Sequence, residues 1–288
     1  MKYNSNSLQE HCKFIQILSR NDIPFLIPFV GFTARQPYMV MLKCVADKSL
    51  HQILHGKKQN NITGDQKNSI ATCVAYAISN LHQNNIVYND IDSHNIIFDD
   101  NNIAYLYEFE SSIQLDIDPQ LSPPLISNNP AYIAPEVFKS NTYTTKSDVY
   151  SFGVLLWELE TESIPYEGIA REQISEALKK EERLPIPQTA PPSLKKLIKK
   201  CWEQNPEKRP DFNKILEMFL TMQVSFNNSK VETIDSINKT YNSWKNNIPK
   251  IGFDNVIDLF RSLDTQKILS YTKIIDYDMS KPFIESVI

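Results

Sequence analysis

Glycine is scarce in this sequence, with six in 288 residues where about 7% is usual. They stand at Gly31, Gly56, Gly64, Gly153, Gly168 and Gly252, and no two form G-x-G. A glycine-rich phosphate cradle is therefore not encoded in these residues. Cysteine is sparse too: Cys12, Cys44, Cys73 and Cys201 make no C-x-x-C pair and no His-Cys cluster with ligand spacing. That argues against a zinc site or a disulfide framework, and scattered thiols of this kind are ordinarily buried small hydrophobes in a reducing compartment. There is no basic excess: the net charge of −4 makes nucleic acid an unfavourable partner. Long apolar runs are missing as well. The longest, "FGVLLW" at Phe152 to Trp157, is too short to span a bilayer, and "MKYNSNSLQEHCKF" lacks the apolar core of a signal peptide. These absences predict a cytoplasmic chain with neither nucleic acid nor membrane as partner.

What is present is periodicity. "LQEHCKFIQILSR" (8–20) has a helical apolar face, and "PFLIPFVGF" and "PYMVMLKCV" read as two strands joined by a polar turn around Arg35 to Pro37. "KSLHQILHG" predicts a short helix closed by Gly56. A longer helix follows, with Ile70, Cys73, Val74, Ala77, Ile78 and Leu81 on its apolar face. "NIIFDDNNIAYLYEF" reads as two short strands around an Asp-Asp-Asn-Asn turn, and residues 110–131 as a long loop. Helices are predicted in "KSDVYSFGVLLWELET", "REQISEALKKEE", "PPSLKKLIKKCWEQN" and "DFNKILEMFLTMQ", with Arg171 exposed on the second. The last sixty residues are rich in Asn and Ser at first and turn helical around "FDNVIDLFRSL". There Phe253, Val256, Ile257, Phe260 and Leu263 share a face, so 253–263 reads either as a helix docked on the domain or as a partner contact.

Between the long helix and the first of those strands lies "YNDIDSHN", with Asp90 and Asn95 five residues apart. "YEFE" follows, then "PAYIAPE" ending at Glu136, "KSDVYSFGVLLWELE", and "CWEQNPEKRPDF". As an ordered set these motifs resemble the C-terminal lobe of a protein kinase of the tyrosine-kinase-like group, over roughly residues 8–222. The resemblance implies an α+β, protein-kinase-like fold with a reduced N-lobe in 1–42, a mainly helical C-lobe in 43–222 and a helical tail in 223–288. It puts Asp90 at the catalytic-base position, and Asn95 and Glu108 at the metal positions, Glu108 replacing the aspartate of D-F-G. Leu42 falls at the gatekeeper, Lys43 to Val45 at the adenine hinge and Ile97 at the pocket floor. Asp148 is placed to hold the catalytic-loop backbone, and Glu136 and Arg209 to form a buried ion pair. Taken singly, each has a plainer reading: Asp148 as a helix-start acid, Glu136 and Arg209 as surface charges, Ile97 as core.

A kinase chiefly positions ATP, metal ions and a hydroxyl, so its parts can be counted. Alignment through "ILSRNDIPFLIPFVGF" puts the N-lobe glutamate position at Phe14 and its lysine before Met1, and Glu10 has no lysine to hold. Tyr88 and Asn89 occupy the H-R slot, Asp92 stands where many Ser/Thr kinases carry lysine, and Glu110 replaces the D-F-G glycine. Asn128 and Asn129 stand where "GT" normally precedes "PAY". A like charge ~4 Å from the transferred phosphate costs about 4 kcal/mol at an effective dielectric near 20, roughly a thousandfold in rate. The lengthened Glu108 is a further handicap for magnesium. The resemblance so qualified implies a pseudokinase, a binding or scaffold module for other signalling proteins, with no cofactor. The alternative is an active Ser/Thr kinase using ATP and Mg2+ through Asp90, Asn95 and Glu108. A gene product without function is a third outcome.

Overall fold

The computed structural model describes residues 23–27, 29–32, 40–42, 48–56, 62–109, 111–115, 129–141 and 143–246. The predicted helices at 8–20 and 253–263, and Lys43 and Val45, lie outside them. Strands β1 (Phe29–Phe32) and β2 (Val40–Leu42) pair antiparallel, Phe32 opposite Val40, as the sequence predicts. This hairpin belongs to one compact unit; the other comprises Arg20–Pro28 and Lys43–Pro249.

In the larger unit, α1 (Leu50–His55) starts at Ser49, whose hydroxyl accepts from the Gln52 N–H while the Gln52 side chain accepts from the Ser49 N–H. This reciprocal bonding satisfies two of the helix's orphan donors. The same device, Thr63 with Gln66, starts α2 (Gly64–Gln83). Helix α2 is the central element. All six residues of its predicted apolar face are buried, and it packs against α7 (Phe212–Leu220) and α8 (Val231–Asn246).

After α2 the chain forms β3 (Ile86–Val87), a polar loop, a 3-10 turn at Ser93–Asn95, and the hairpin of β4 (Ile96–Phe98) and β5 (Ala104–Leu106). Asp99 shapes the hairpin turn by accepting from the Asn101 and Ile103 N–H groups, and Asn102 takes a left-handed backbone. Phe25–Ile27 lies beside β5, bonded to Leu106. β6 (Ile113–Gln114), inside the stretch read as loop, pairs with β3. A two-residue strand is too short to show alternation, so the pairing is a tertiary choice.

The helical half comprises α3 (Pro135–Ser140), α4 (Thr145–Thr161), α5 (Arg171–Lys179), α6 (Pro192–Cys201) and α7. Short α3 was not predicted from the sequence; it opens with Pro135 and closes on left-handed Asn141. Helix α4 is buried nearly all round. It meets α6 so closely that a Cβ on Gly153 would stand 2.7 Å from that of Cys201. Arg171, expected exposed, is half-buried with its guanidinium over the Phe138 ring at 5.4 Å.

The compact unit continues past residue 222. Val224, Phe226, Ile234 and Ile237 are buried, and the ring of Tyr241 stacks on Tyr76 of α2. Asp65, in the first turn of α2, accepts from the Lys230 N–H and the Thr233 hydroxyl, and so caps α8 from across the domain. No helix among the described residues is long and apolar enough to cross a membrane.

Candidate functional site

The loop after β3 is held from behind by one carboxylate. Asp148, fully buried in the first turn of α4, accepts from the Tyr88 N–H at 2.9 Å and the Asn89 N–H at 2.8 Å. The ring of His82 meets the same carboxylate at 2.7 Å. Three partners and the α4 N-terminal dipole offset the cost of burying this charge. Asn89 can then adopt a left-handed φ of 68°, and its amide donates to the Ser111 carbonyl.

This turn delivers Asp90 half-buried beside a narrow cleft lined by Tyr132, Ile133, Val137, Tyr143 and Ser147, with room for about one water. The Asn95 side chain donates to the Asp90 carbonyl at 3.0 Å, which fixes the five-residue loop and leaves the Asn95 amide oxygen as its metal-type donor. Glu108 follows β5, and Phe109 is buried edge-to-face on Tyr88 with ring centroids 5.3 Å apart. Ile97, opposite Tyr105 in the hairpin, is half-buried whereas Ile96 and Phe98 are buried. Leu42 ends β2 in the separate hairpin unit.

A second clamp joins the late helices to α3. The Arg209 side chain is fully buried and bidentate to Glu136 at 2.6 and 2.8 Å. It also donates to the carbonyls of Glu203 and Lys146 and lies over the Tyr150 ring. Arg209 is therefore not a loose surface charge.

The chemical side of the loop is acid-rich. Burial first, then the charges of Asp90, Glu108 and Asp148 and the phenol of Tyr107, push the Tyr88 hydroxyl well above its ordinary range. Burial and then Glu108, Asp92 and Asp90 raise Tyr107 in the same way. The Tyr88 hydroxyl is buried and has no hydrogen-bond partner among the described residues.

Asp92 does not project a bare charge. Its carboxylate is nearly buried and accepts from the His94 N–H at 2.8 Å and from the His94 ring at 2.7 Å. Burial works against this charge, but the bonds from His94 and from Asn129 hold the carboxyl below its usual range. The hydrogen bond to Asp92 raises His94 in turn, against its partial burial. The aspartate caps the turn, and the sign reversal inferred from sequence is partly compensated by its neighbour.

Sequence reasoning missed the residues around Glu158. This α4 carboxylate is fully buried and accepts from Ser93, His55 and the Tyr132 hydroxyl. The ring of His51 stacks on His94 at 3.7 Å. The four-residue spacing of the histidines in "LHQILH" was the available signal.

The model of the protein tyrosine and serine/threonine kinase family matches residues 1–219. Serine/threonine/tyrosine-protein kinase HT1 of Arabidopsis thaliana is 31% identical over 206 residues, 70% of this chain and 52% of that protein. Probable serine/threonine-protein kinase drkB of Dictyostelium discoideum is 32% identical over 224 residues, 76% of this chain and 32% of its own. Human tyrosine-protein kinase Fer is 30% identical over 208 residues, 70% of this chain and 25% of its own. The chain thus spans about half or less of the length of these relatives. With the clamped loop and the Glu136–Arg209 pair in place, the chain belongs to the protein kinase family.

Proposed function

We propose that this kinase-family domain works as a pseudokinase, a binding or scaffold module for other signalling proteins with little or no phosphoryl transfer. The observation that carries the reading is the sign of the field at the loop. Asp92 stands where many Ser/Thr kinases carry lysine, so a nearly buried carboxylate, bonded to the His94 ring, replaces a positive group. The oxygens of Asn95 and Glu108 suit magnesium in kind, but a nucleotide triphosphate is a polyanion that needs positive groups around it. This acidic surround does not suit ATP. The buried free thiols Cys73 and Cys201 accord with a cytoplasmic setting.

The alternative, a Ser/Thr kinase, is favoured by one observation: Asp90 is fixed by Asn95 in a loop whose backbone is clamped by Asp148. In that reading Asp90 would accept the substrate hydroxyl proton and Asn95 and Glu108 would hold metal, while Leu42, Lys43, Val45 and Ile97 keep the adenine-site positions that the family resemblance gives them. The test is transfer of the ATP γ-phosphate to a generic protein substrate by the wild type and by Asp90→Asn. Equal background rates support the scaffold reading; wild-type transfer well above the variant establishes the enzyme.

A further inference from the structure

His51 and His55 lie four residues apart on α1, so both imidazoles leave the same face of the helix. That face meets Glu158 of α4. The His55 Nε2 is 2.8 Å from Glu158 Oε1, and the His51 Nδ1 is 3.9 Å from the same oxygen. One donor atom from each residue falls within a group no more than 4.8 Å across. In a tetrahedral site with bonds of about 2.0–2.1 Å, donors stand roughly 3.4 Å apart, which these rings reach with small side-chain rotations.

The surroundings are those of a supported site. The Tyr132 hydroxyl donates to one oxygen of Glu158 and the Ser93 hydroxyl to the other, so the carboxylate is oriented from two sides. The side chains of Glu158 and His55 are 1% and 9% exposed, and that of His51 is 24% exposed, which gives an ion a way in. Two imidazoles with one carboxylate select a borderline transition metal over Mg2+ or Ca2+.

We propose that His51, His55 and Glu158 bind a divalent transition metal of the Zn2+ class, with water in the remaining position. Binding requires the His55 Nε2 lone pair, so the proton shared with Glu158 is released or that imidazole changes tautomer. The ion joins α1 to α4 across Ser93 and stiffens the segment that carries Asp90 and Asn95. This site is independent of phosphoryl transfer and stands whether or not the domain is an enzyme.

The test uses the full chain stripped with a chelator and dialysed. Co2+ is titrated with visible absorption as the readout, and Zn2+ with melting temperature as the readout. One equivalent of Co2+ should develop ligand-field bands, Zn2+ should displace it, and micromolar Zn2+ should raise the melting temperature where millimolar Mg2+ does not. His51→Gln and His55→Gln should each weaken binding at least about tenfold, the lower end of what losing even an outer-shell partner costs. His94→Gln, whose ring nitrogen is turned to Asp92, should retain it. No saturable Zn2+ effect would overturn the proposal and leave an imidazole–carboxylate cluster. Binding that survives both ligand variants, or competition by Mg2+, would overturn it equally.

Discussion

The two sides of the 88–95 loop are built to different standards. Behind it, Asp148 and Arg209 are fully buried and Glu136 is partly exposed, and they are bonded to backbone and side chains alike. At the loop itself, Tyr88 carries a buried hydroxyl without a partner among the described residues, and the carboxylates of Asp90, Glu108 and Asp148 act on the same phenol. The rear is a structural frame and the front is the chemical edge. The frame needs only satisfied hydrogen bonds and packing, and holds the loop in position whatever the edge can do. A loop in the right place is therefore evidence of fold, and the charges in front of it are the evidence about activity.

Breaking the frame should have the largest effects. Truncation after Met222 removes the buried side chains of Val224, Phe226, Ile234 and Ile237. At about 1.5–3 kcal/mol each, their loss is comparable to a domain's whole stability of about 5–15 kcal/mol. Calorimetry of the truncated chain should show no cooperative unfolding, or a melting temperature many degrees lower. An unchanged transition would place 223–246 outside the frame.

Arg209→Ala comes next. Removing one partner of a fully buried pair typically costs ~3–5 kcal/mol, and because Glu136 is partly exposed the loss here should fall toward the lower end. Urea denaturation should show that loss, while Lys214→Ala, in an exposed pair with Glu217, should stay within about 0.5 kcal/mol. Similar small effects would return Arg209 to the class of surface charges.

At the edge the expected sign reverses. Tyr88→Phe deletes a buried hydroxyl that has no partner among the described residues, so it should leave stability unchanged or raise it by about 1 kcal/mol. Destabilisation beyond that would show that the hydroxyl is bonded in solution, and the contrast between frame and edge would weaken.

Much of this division was legible in the sequence. The order of "YNDIDSHN", "PAYIAPE" and "CWEQNPEKRPDF" pointed to Asp148, Glu136 and Arg209, because their partners come from motifs with fixed spacing. The face of α2 followed from 3.6-residue periodicity alone. The sequence expects a helical tail in 223–288 but does not place α8, because its Asn- and Ser-rich surface hides two buried isoleucines and its start is capped by Asp65, distant in sequence. The sequence suggests His94 as a weak compensating charge, but its direct bond to Asp92 was hidden, since a sequence gives a residue's charge but not the direction its side chain takes. The Glu158 cluster unites four segments, and only "LHQILH" carried a local sign of it.

The central claim is that a kinase frame here holds an edge unsuited to nucleotide. Its most direct test is the melting temperature of the full chain with and without millimolar Mg-ATP. Binding at a hundredfold excess over Kd would stabilise the native state by about 2.7 kcal/mol. The account predicts no saturable shift with ATP concentration; a clear saturable rise that Asp90→Asn or Glu108→Gln alters would contradict it.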